Sequence, residues 1–457
     1  MPETTRHIAA FATSAEIPEA VRNAARKPFV DTVGCILSGA ASEVAEPLTT
    51  YVSRHHGHGA SVILGTAMRA PAEIAAFVNG TFGHALDFDD GIVLAPVHPS
   101  SVVVAALLAD PGGVSGRQIL DAYVVGIEVA VKLAVGIGIE HYHRGWHGTG
   151  TIGIFGAVAA LAHARKLPVG ITQTAFGLAA SMASGVQRNF GTMGKPLHTG
   201  WAARNAVTAV ELASSGFTAA TDAMEAKNGF FAVYGSADSD PGMTVSSLGR
   251  PYAIADPGLS LKRYACCYAS HRPMEGLLAL RKELALSAAN VKSVQCVLAP
   301  GSLRALIYPR PTNGLEGKFS LEYALAAGVL DGAYTLWTFG DDAVARPAAQ
   351  ALLPRMAVME DARCALGDAQ GAKLGPSRRG FVEVSAERLD GKRATTTVQK
   401  LPGSPDQPLT REEVNAKFLD CAAAAQLDGA RTEAALERLE HLDNERDAAS
   451  VIALLRK

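Results

Sequence analysis

Between Pro18 and Ser215 the chain reads as one amphipathic helix after another, and this succession limits the possible folds more than any single motif does. Apolar residues recur at three- and four-residue spacing over Pro18–Ser38, Pro71–Leu86, Ser101–Ala109, Gln118–Ile139, Thr151–Ala164, Thr172–Val186 and Trp201–Ser215. Pro71 suits a first helical turn, and Gly39, Gly136 and Gly216 supply stop signals. Alternation with β-branched residues is almost absent here. Alanine and glycine on so many helices let backbones approach closely, which predicts a buried helical bundle.

The texture changes near Lys262. Val291–Leu298 alternates like a strand, and Phe381–Leu389, Asp390-Gly391 and Lys392–Lys400 read as a hairpin, because Asp-Gly fits a type I′ turn. Helices are expected between these strands, at Ser320–Asp331 and Val344–Met359. Leu401–Pro408 is a linker by composition, and Thr410 with Glu413 forms a capping box opening a helix through Ala424. A further amphipathic helix closes the chain. The expected architecture is mainly α: an all-helical domain from 1–262 and 405–457, and an α+β domain over 263–404.

Several function classes drop out. A net charge of −2 gives no basic field for nucleic acid or an anionic lipid surface, so any anion site must be local. Glu128 and Lys132 interrupt the most apolar helical stretch, so no membrane span is expected, and the N-terminus lacks a secretory pattern. Six scattered cysteines show no CxxC pair and no zinc spacing, which suits free thiols in a reducing cytoplasm.

Four segments could carry chemistry. His84-Ala-Leu-Asp87-Phe-Asp89-Asp90-Gly91 is followed by His98-Pro-Ser-Ser101, placing acids at one helix end and a histidine before the next helix. A histidine beside free helix N–H groups suits a bound anion. Divalent metal binding by the acids and His84 is the sharper alternative, and helix-end caps the plain one. His147-Gly-Thr-Gly-Thr-Ile-Gly153 matches GxGxxG, but no strand precedes it and no acid follows about 20 residues on, so it is not a dinucleotide motif. It is a Gly/Thr-rich helix start behind a histidine. Lys195-Pro-Leu-His198-Thr-Gly200 is expected to lead into the Trp201 helix, its lysine paired with a carboxylate of the protein or of a ligand. Lys262-Arg-Tyr-Ala-Cys266-Cys267 with His271 marks the domain junction, where the adjacent Cys266 and Cys267 read as small buried packers and a Cys267/His271 nucleophile couple is the sharper alternative; Tyr308 adds a phenol. His55, His56 and His58 read as loop histidines.

Taken in order, His84–Asp90, His98–Ser101, Lys195–Gly200, Lys227–Phe231 and Lys262–Cys267 with His271 resemble the MmgE/PrpD family across nearly the whole chain. The family includes dehydratases of 2-methylcitrate, decarboxylases of cis-aconitate and epimerases of iminodisuccinate. The resemblance implies a helical domain with an α+β lid, a homodimer, no metal or other cofactor, and a small di- or tricarboxylate substrate held between domains. It places Asp87, His98, His147, Lys195, Lys262 and Tyr308 in the site. Gly91 and Cys267 stand where the decarboxylase branch carries threonine and histidine, and Ala265 replaces a common proline. The expectation is therefore a dehydratase-type lyase: His98, His147, Asp87 and Tyr308 for proton transfer, and Lys195, Lys262, His198, Cys267 and His271 for binding. Epimerisation and carboxylate binding without catalysis are the alternatives.

Overall fold

A computed structural model describes residues 3–55, 57, 59–92, 94–109, 113–365 and 380–457. His56 and His58 of the histidine-rich stretch lie outside them. The chain forms two compact units, one of residues 1–188, 194–261 and 410–457, the other of 189–193 and 262–409. As expected, the architecture is mainly α with a smaller α+β part.

The first unit is built from α1 (Glu19–Gly39), α2 (Ala72–Ala85), α3 (Pro99–Leu108), α4 (Gly116–Ile137), α5 (Gly148–Ala164), α6 (Val169–Met182) and α7 (Gly194–Ser214). All ten residues of α3 are buried, as is every residue of α5 from Gly148 to Ala162. A helix apolar on all sides belongs inside a bundle, and these two form its centre.

Small residues set the spacing. A Cβ on Gly80 of α2 would lie 2.9 Å from Gly200 Cα of α7, and one on Gly200 would lie 2.2 Å from the Phe77 carbonyl oxygen. Only glycine at both places lets these backbones touch. Gly126 and Gly156 do the same for α4 and α5, where a Cβ on either would meet the other's carbonyl oxygen within 2.8 Å. A two-residue strand, Gly91–Ile92, pairs with Leu259–Ser260.

The second unit holds α8 (His271–Leu284), β1 (Val291–Leu298), α9 (Leu321–Asp331), β2 (Met356–Glu360), β3 (Val382–Arg388) and β4 (Arg393–Val398). Its sheet runs in the order β2-β1-β3-β4, with β1 and β2 parallel and the other pairs antiparallel. The hairpin at Asp390-Gly391 is present, but its turn is not type I′: Gly391 is left-handed at φ 85° while Asp390 is not, and the Arg388 N–H to Lys392 carbonyl bond closes a three-residue loop. One expectation fails: Val344–Met359 is not a single helix. It divides into Asp341–Ala345 and Pro347–Leu352, and Met356–Glu360 is strand. Pro347 forces Arg346 out of helical geometry, and pairing with β1 outweighs helix propensity beyond Pro354.

The chain then returns to the first unit through α10 (Arg411–Ala424) and α11 (Gly429–Glu440). The capping box that opens α10 is complete: Thr410 Oγ1 accepts from Glu413 N–H, and the Glu413 carboxylate accepts from Thr410 N–H. Among the described residues no helix is long and apolar enough to cross a membrane.

Candidate active site

Helix α2 ends at Ala85, and the backbone turns sharply because Asp87 adopts φ 49°. Aspartate tolerates this left-handed conformation better than most residues. Helices α3 and α5 both start beside this turn, with His98 and His147 as their N-cap residues. Thr149 Oγ1, in the first turn of α5, accepts from the His98 backbone N–H at 3.0 Å and locks the two starts together.

The antiparallel contact of α2 with α7 brings Lys195 in. Sequence reading put Lys195 and His198 in a loop before a Trp201 helix, but α7 begins at Gly194, so both side chains sit on a helix. Pro196 does not prevent this, since the first-turn N–H groups have no intrahelical partner to lose. Buried Lys195 Nζ donates to Asp87 Oδ1 at 2.9 Å and to His84 Nε2 at 2.6 Å.

These contacts assign tautomers. His84 Nε2 accepts from the ammonium, so its proton is on Nδ1, which donates to Asp89 at 2.8 Å. Ser101 Oγ donates to the same carboxylate at 2.8 Å. Burial, together with the Lys195 charge, holds His84 below the usual imidazole pKa and keeps it neutral, although Asp89 pulls the other way. His98 Nδ1 donates to the Asp90 carbonyl oxygen at 2.5 Å, which leaves Nε2 as the nitrogen able to take a proton, 3.9 Å from Asp87 Oδ1. His147 Nδ1 lies 3.0 Å from His198 Nδ1. Burial, then the charges of Lys195 and the neighbouring histidines, push His147 well below the usual imidazole range, while His198 falls to about 4 for the same reasons.

Asp90 is the third buried acid. Its carboxyl receives Ser100 N–H at 3.2 Å and lies 2.6 Å from Ser100 Oγ, which in turn contacts Tyr123 OH at 2.6 Å. Burial, then Asp89, raises its pKa to about 8.

Ligand atoms of His84, Asp87, Asp89 and His98 all lie within 4.8 Å of one another, the spacing a divalent metal would need. The donor set argues for a different cation. The Lys195 ammonium already bonds His84 Nε2 and Asp87 Oδ1, so a metal could use those atoms only by expelling it.

In the second unit, Lys262 opens the 262–409 stretch and is buried. Cys266 and Cys267 are packed into that unit's apolar core. His271 opens α8 between the rings of Tyr264 and Tyr268, at 5.1 and 4.7 Å. Tyr308 OH donates to the Phe190 carbonyl oxygen at 2.8 Å, and its ring lies over Gly191 (φ 79°), where a Cβ would be 2.2 Å from the ring.

Two contributors escaped the residue-by-residue reading. His84 was taken as one member of an acid-rich run, yet it is the group joining Lys195 to Asp89. Lys417 of α10 donates to the Phe88 carbonyl oxygen at 2.7 Å, pairs with buried Asp31 at 2.9 Å, and lies 3.7 Å from the Phe88 ring centroid. The signal for His84 was its i, i+5 spacing to Asp89. For Lys417 it was a lysine on the apolar side of an amphipathic helix.

The arrangement is that of a polar, proton-handling centre buried in a helical bundle. Comparison with known proteins places it. The MmgE/PrpD N-terminal domain model matches residues 6–241 and the C-terminal domain model residues 264–441. The chain belongs to the MmgE/PrpD family. It is 25% identical over 442 residues to a cis-aconitate decarboxylase of Homo sapiens, covering 94% of this chain and 89% of that one. It is 26% identical over 478 residues to a cis-aconitate decarboxylase of Aspergillus terreus, covering 98% and 94%. With such relatives aligned over almost the entire length, the chain is an enzyme of the lyase class.

Proposed function

We propose that this enzyme is a cofactor-independent lyase for a small di- or tricarboxylate, and that its reaction is dehydration of a hydroxy acid of the 2-methylcitrate kind. The observation that supports this most is the buried ammonium of Lys195, held between Asp87 and His84 beside the N-termini of two buried helices. Breaking a bond to the carbon next to a carboxylate gathers negative charge on that carboxylate. A cation and helix N-termini fixed in place stabilise the charge by about 3 kcal/mol per donor, without reorganisation when the charge develops.

In this reading His98 Nε2 takes the proton from the carbon next to the carboxylate, and the electron pair of that C–H bond becomes the second bond of the alkene. The hydroxyl departs with a proton from His147, as water. Asp87 orients the ammonium and faces His98. His198 is assigned below. In the second unit, Lys262, Cys267 and His271 keep the binding roles, and Tyr308 the proton-transfer role, expected of them from the sequence. A second reading, decarboxylation of an unsaturated tricarboxylate, is favoured by the activity named for the relatives.

Proton NMR of the purified protein with 2-methylcitrate, cis-aconitate and an iminodisuccinate-type adduct in deuterated water tests these readings. An alkene product from 2-methylcitrate supports dehydration, and loss of a carboxyl group from cis-aconitate supports the second reading. Deuterium incorporation with inversion alone would replace both with epimerisation. Unchanged acids at high enzyme concentration would leave only a carboxylate-binding protein. His98→Ala and His147→Ala are each expected to lower turnover by about 10²–10⁴-fold.

A further inference from the structure

We propose that His198 is a proton relay, the group through which His147 exchanges its proton with water once in every turnover. The inference rests on the lyase reading above and reassigns a residue whose expected role was to bind the substrate.

His147 is 1% exposed, whereas His198 is half-buried on α7, where its neighbours Leu197 and Trp201 are each 39% exposed. Their Nδ1 atoms are 3.0 Å apart, with ring centroids 5.2 Å apart. Two imidazole nitrogens at that distance share one proton: one ring donates and the other accepts. The pair therefore spans the step from the buried helix start to the face of α7 that meets solvent.

The backbone is built around this pair. The segment after α6 runs against both histidines, and Gly185 O accepts from His147 N–H at 3.0 Å. Gly185 sits at φ 129°, and a Cβ there would lie 3.1 Å from His198 Cγ and 3.3 Å from its Nδ1. A Cβ on Gly150, one turn into α5, would lie 3.2 Å from His198 Cβ and 2.3 Å from Ser184 O. Two glycines thus let the His198 ring approach His147. The other charged or titratable groups facing His147 are His84 on α2, His98 before α3 and Lys195 on α7. The first two are already engaged with Asp89 and the Asp90 carbonyl, and Lys195 with Asp87.

The proton balance needs such a path. In dehydration His147 protonates the departing hydroxyl and ends one proton short. In decarboxylation the C–C bond breaks, CO2 leaves, the electron pair stays on carbon, and a proton from His147 completes the new C–H bond. Either way His147 must regain one proton from water, and the relay supplies it: as His147 Nε2 releases its proton, His198 passes its Nδ1 proton to His147 Nδ1 and takes another from solvent on Nε2, and both rings then turn over to restore the starting tautomers before the next turnover.

The test compares wild type, His198→Ala and Gly185→Ala with 2-methylcitrate and cis-aconitate as probes, with and without added imidazole. The relay predicts that His198→Ala lowers kcat by about 10- to 100-fold with little change in KM, that imidazole restores much of the loss, and that wild type ignores imidazole. Gly185→Ala, which keeps both histidines but pushes the rings apart, is expected to lose kcat in the same way. A raised KM with unchanged kcat in His198→Ala would return the residue to substrate binding and overturn the relay, as would a kcat loss that imidazole leaves untouched. A wild-type protein that turns over neither acid would instead sink the lyase reading itself, and the relay with it.

Discussion

At the scale of single residues, the site is organised by which nitrogen or oxygen carries a proton. His84 is held as the Nδ1–H tautomer between an ammonium and a carboxylate, and His98 as the Nδ1–H tautomer on a backbone carbonyl. Asp90 illustrates the same control for an acid. Asp87, Asp89 and Asp90 are all buried within four positions, and three negative charges there would be costly. With its pKa near 8 against 3.8 when unfolded, Asp90 holds a proton in the native state that the unfolded chain releases. The sign follows: this contribution to stability is full below about pH 4 and is lost as the pH rises to about 8. In Asp90→Asn the amide oxygen can accept from Ser100 N–H while its NH₂ donates to Ser100 Oγ. The variant's melting temperature, relative to wild type, is therefore expected to climb across that window and level off above it. A difference that stays flat from pH 4 to 8 would mean that Asp90 is ionised in the fold.

At the scale of elements, the meeting of His84 with Lys195 depends on how closely α2 and α7 approach, which depends in turn on Gly80 and Gly200. In Gly200→Ala the new methyl carbon would start 2.1 Å from Thr81 Oγ1 and 2.2 Å from the Phe77 carbonyl oxygen. The latter is backbone and cannot rotate away, so the helices must separate. The expected cost is about 1–3 kcal/mol in chemical denaturation, as for other overpacked cores. Turnover should fall with it, because Lys195 moves away from His84 and Asp87. A fully stable and fully active Gly200→Ala enzyme would disprove the role given to this contact. The alanine- and glycine-rich pattern made close packing legible from the sequence. Which glycines face each other was not, because that is a matter of helix register and not of local propensity.

At the scale of the whole molecule, the chain leaves the helical unit at Lys262 and comes back at Thr410. The C-terminal family model runs on to residue 441, across that return, so the sequence-defined module and the compact unit do not coincide. The returning α10 is bound to the centre of the first unit by Lys417, whose ammonium meets Asp31 of α1 and the carbonyl between Asp87 and Asp89. Lys417→Met leaves Asp31 buried without this partner and is expected to cost about 3–5 kcal/mol, measured by denaturant unfolding. Much of that should return in the double variant Asp31→Asn/Lys417→Met, in which no charge is stranded. If the single variant is as stable as wild type, the ion pair is not what fastens the C-terminal helices.

The sequence by itself determined what local chemistry determines. Helix periodicity, the Asp-Gly turn, the Thr410–Glu413 cap and each single family motif depend on residues within a few positions of each other. They were readable for that reason, as were His98 and His147 at helix starts. The tertiary structure decided the rest: that α7 begins early enough to carry Lys195 and His198 as helix residues, that Met356–Glu360 becomes a strand once β1 is beside it, and that His84, His147 and Lys417 find partners more than 50 residues away. Those outcomes belong to packing, where the free energy of a buried charge or a shared proton depends on groups that no local stretch of chain contains.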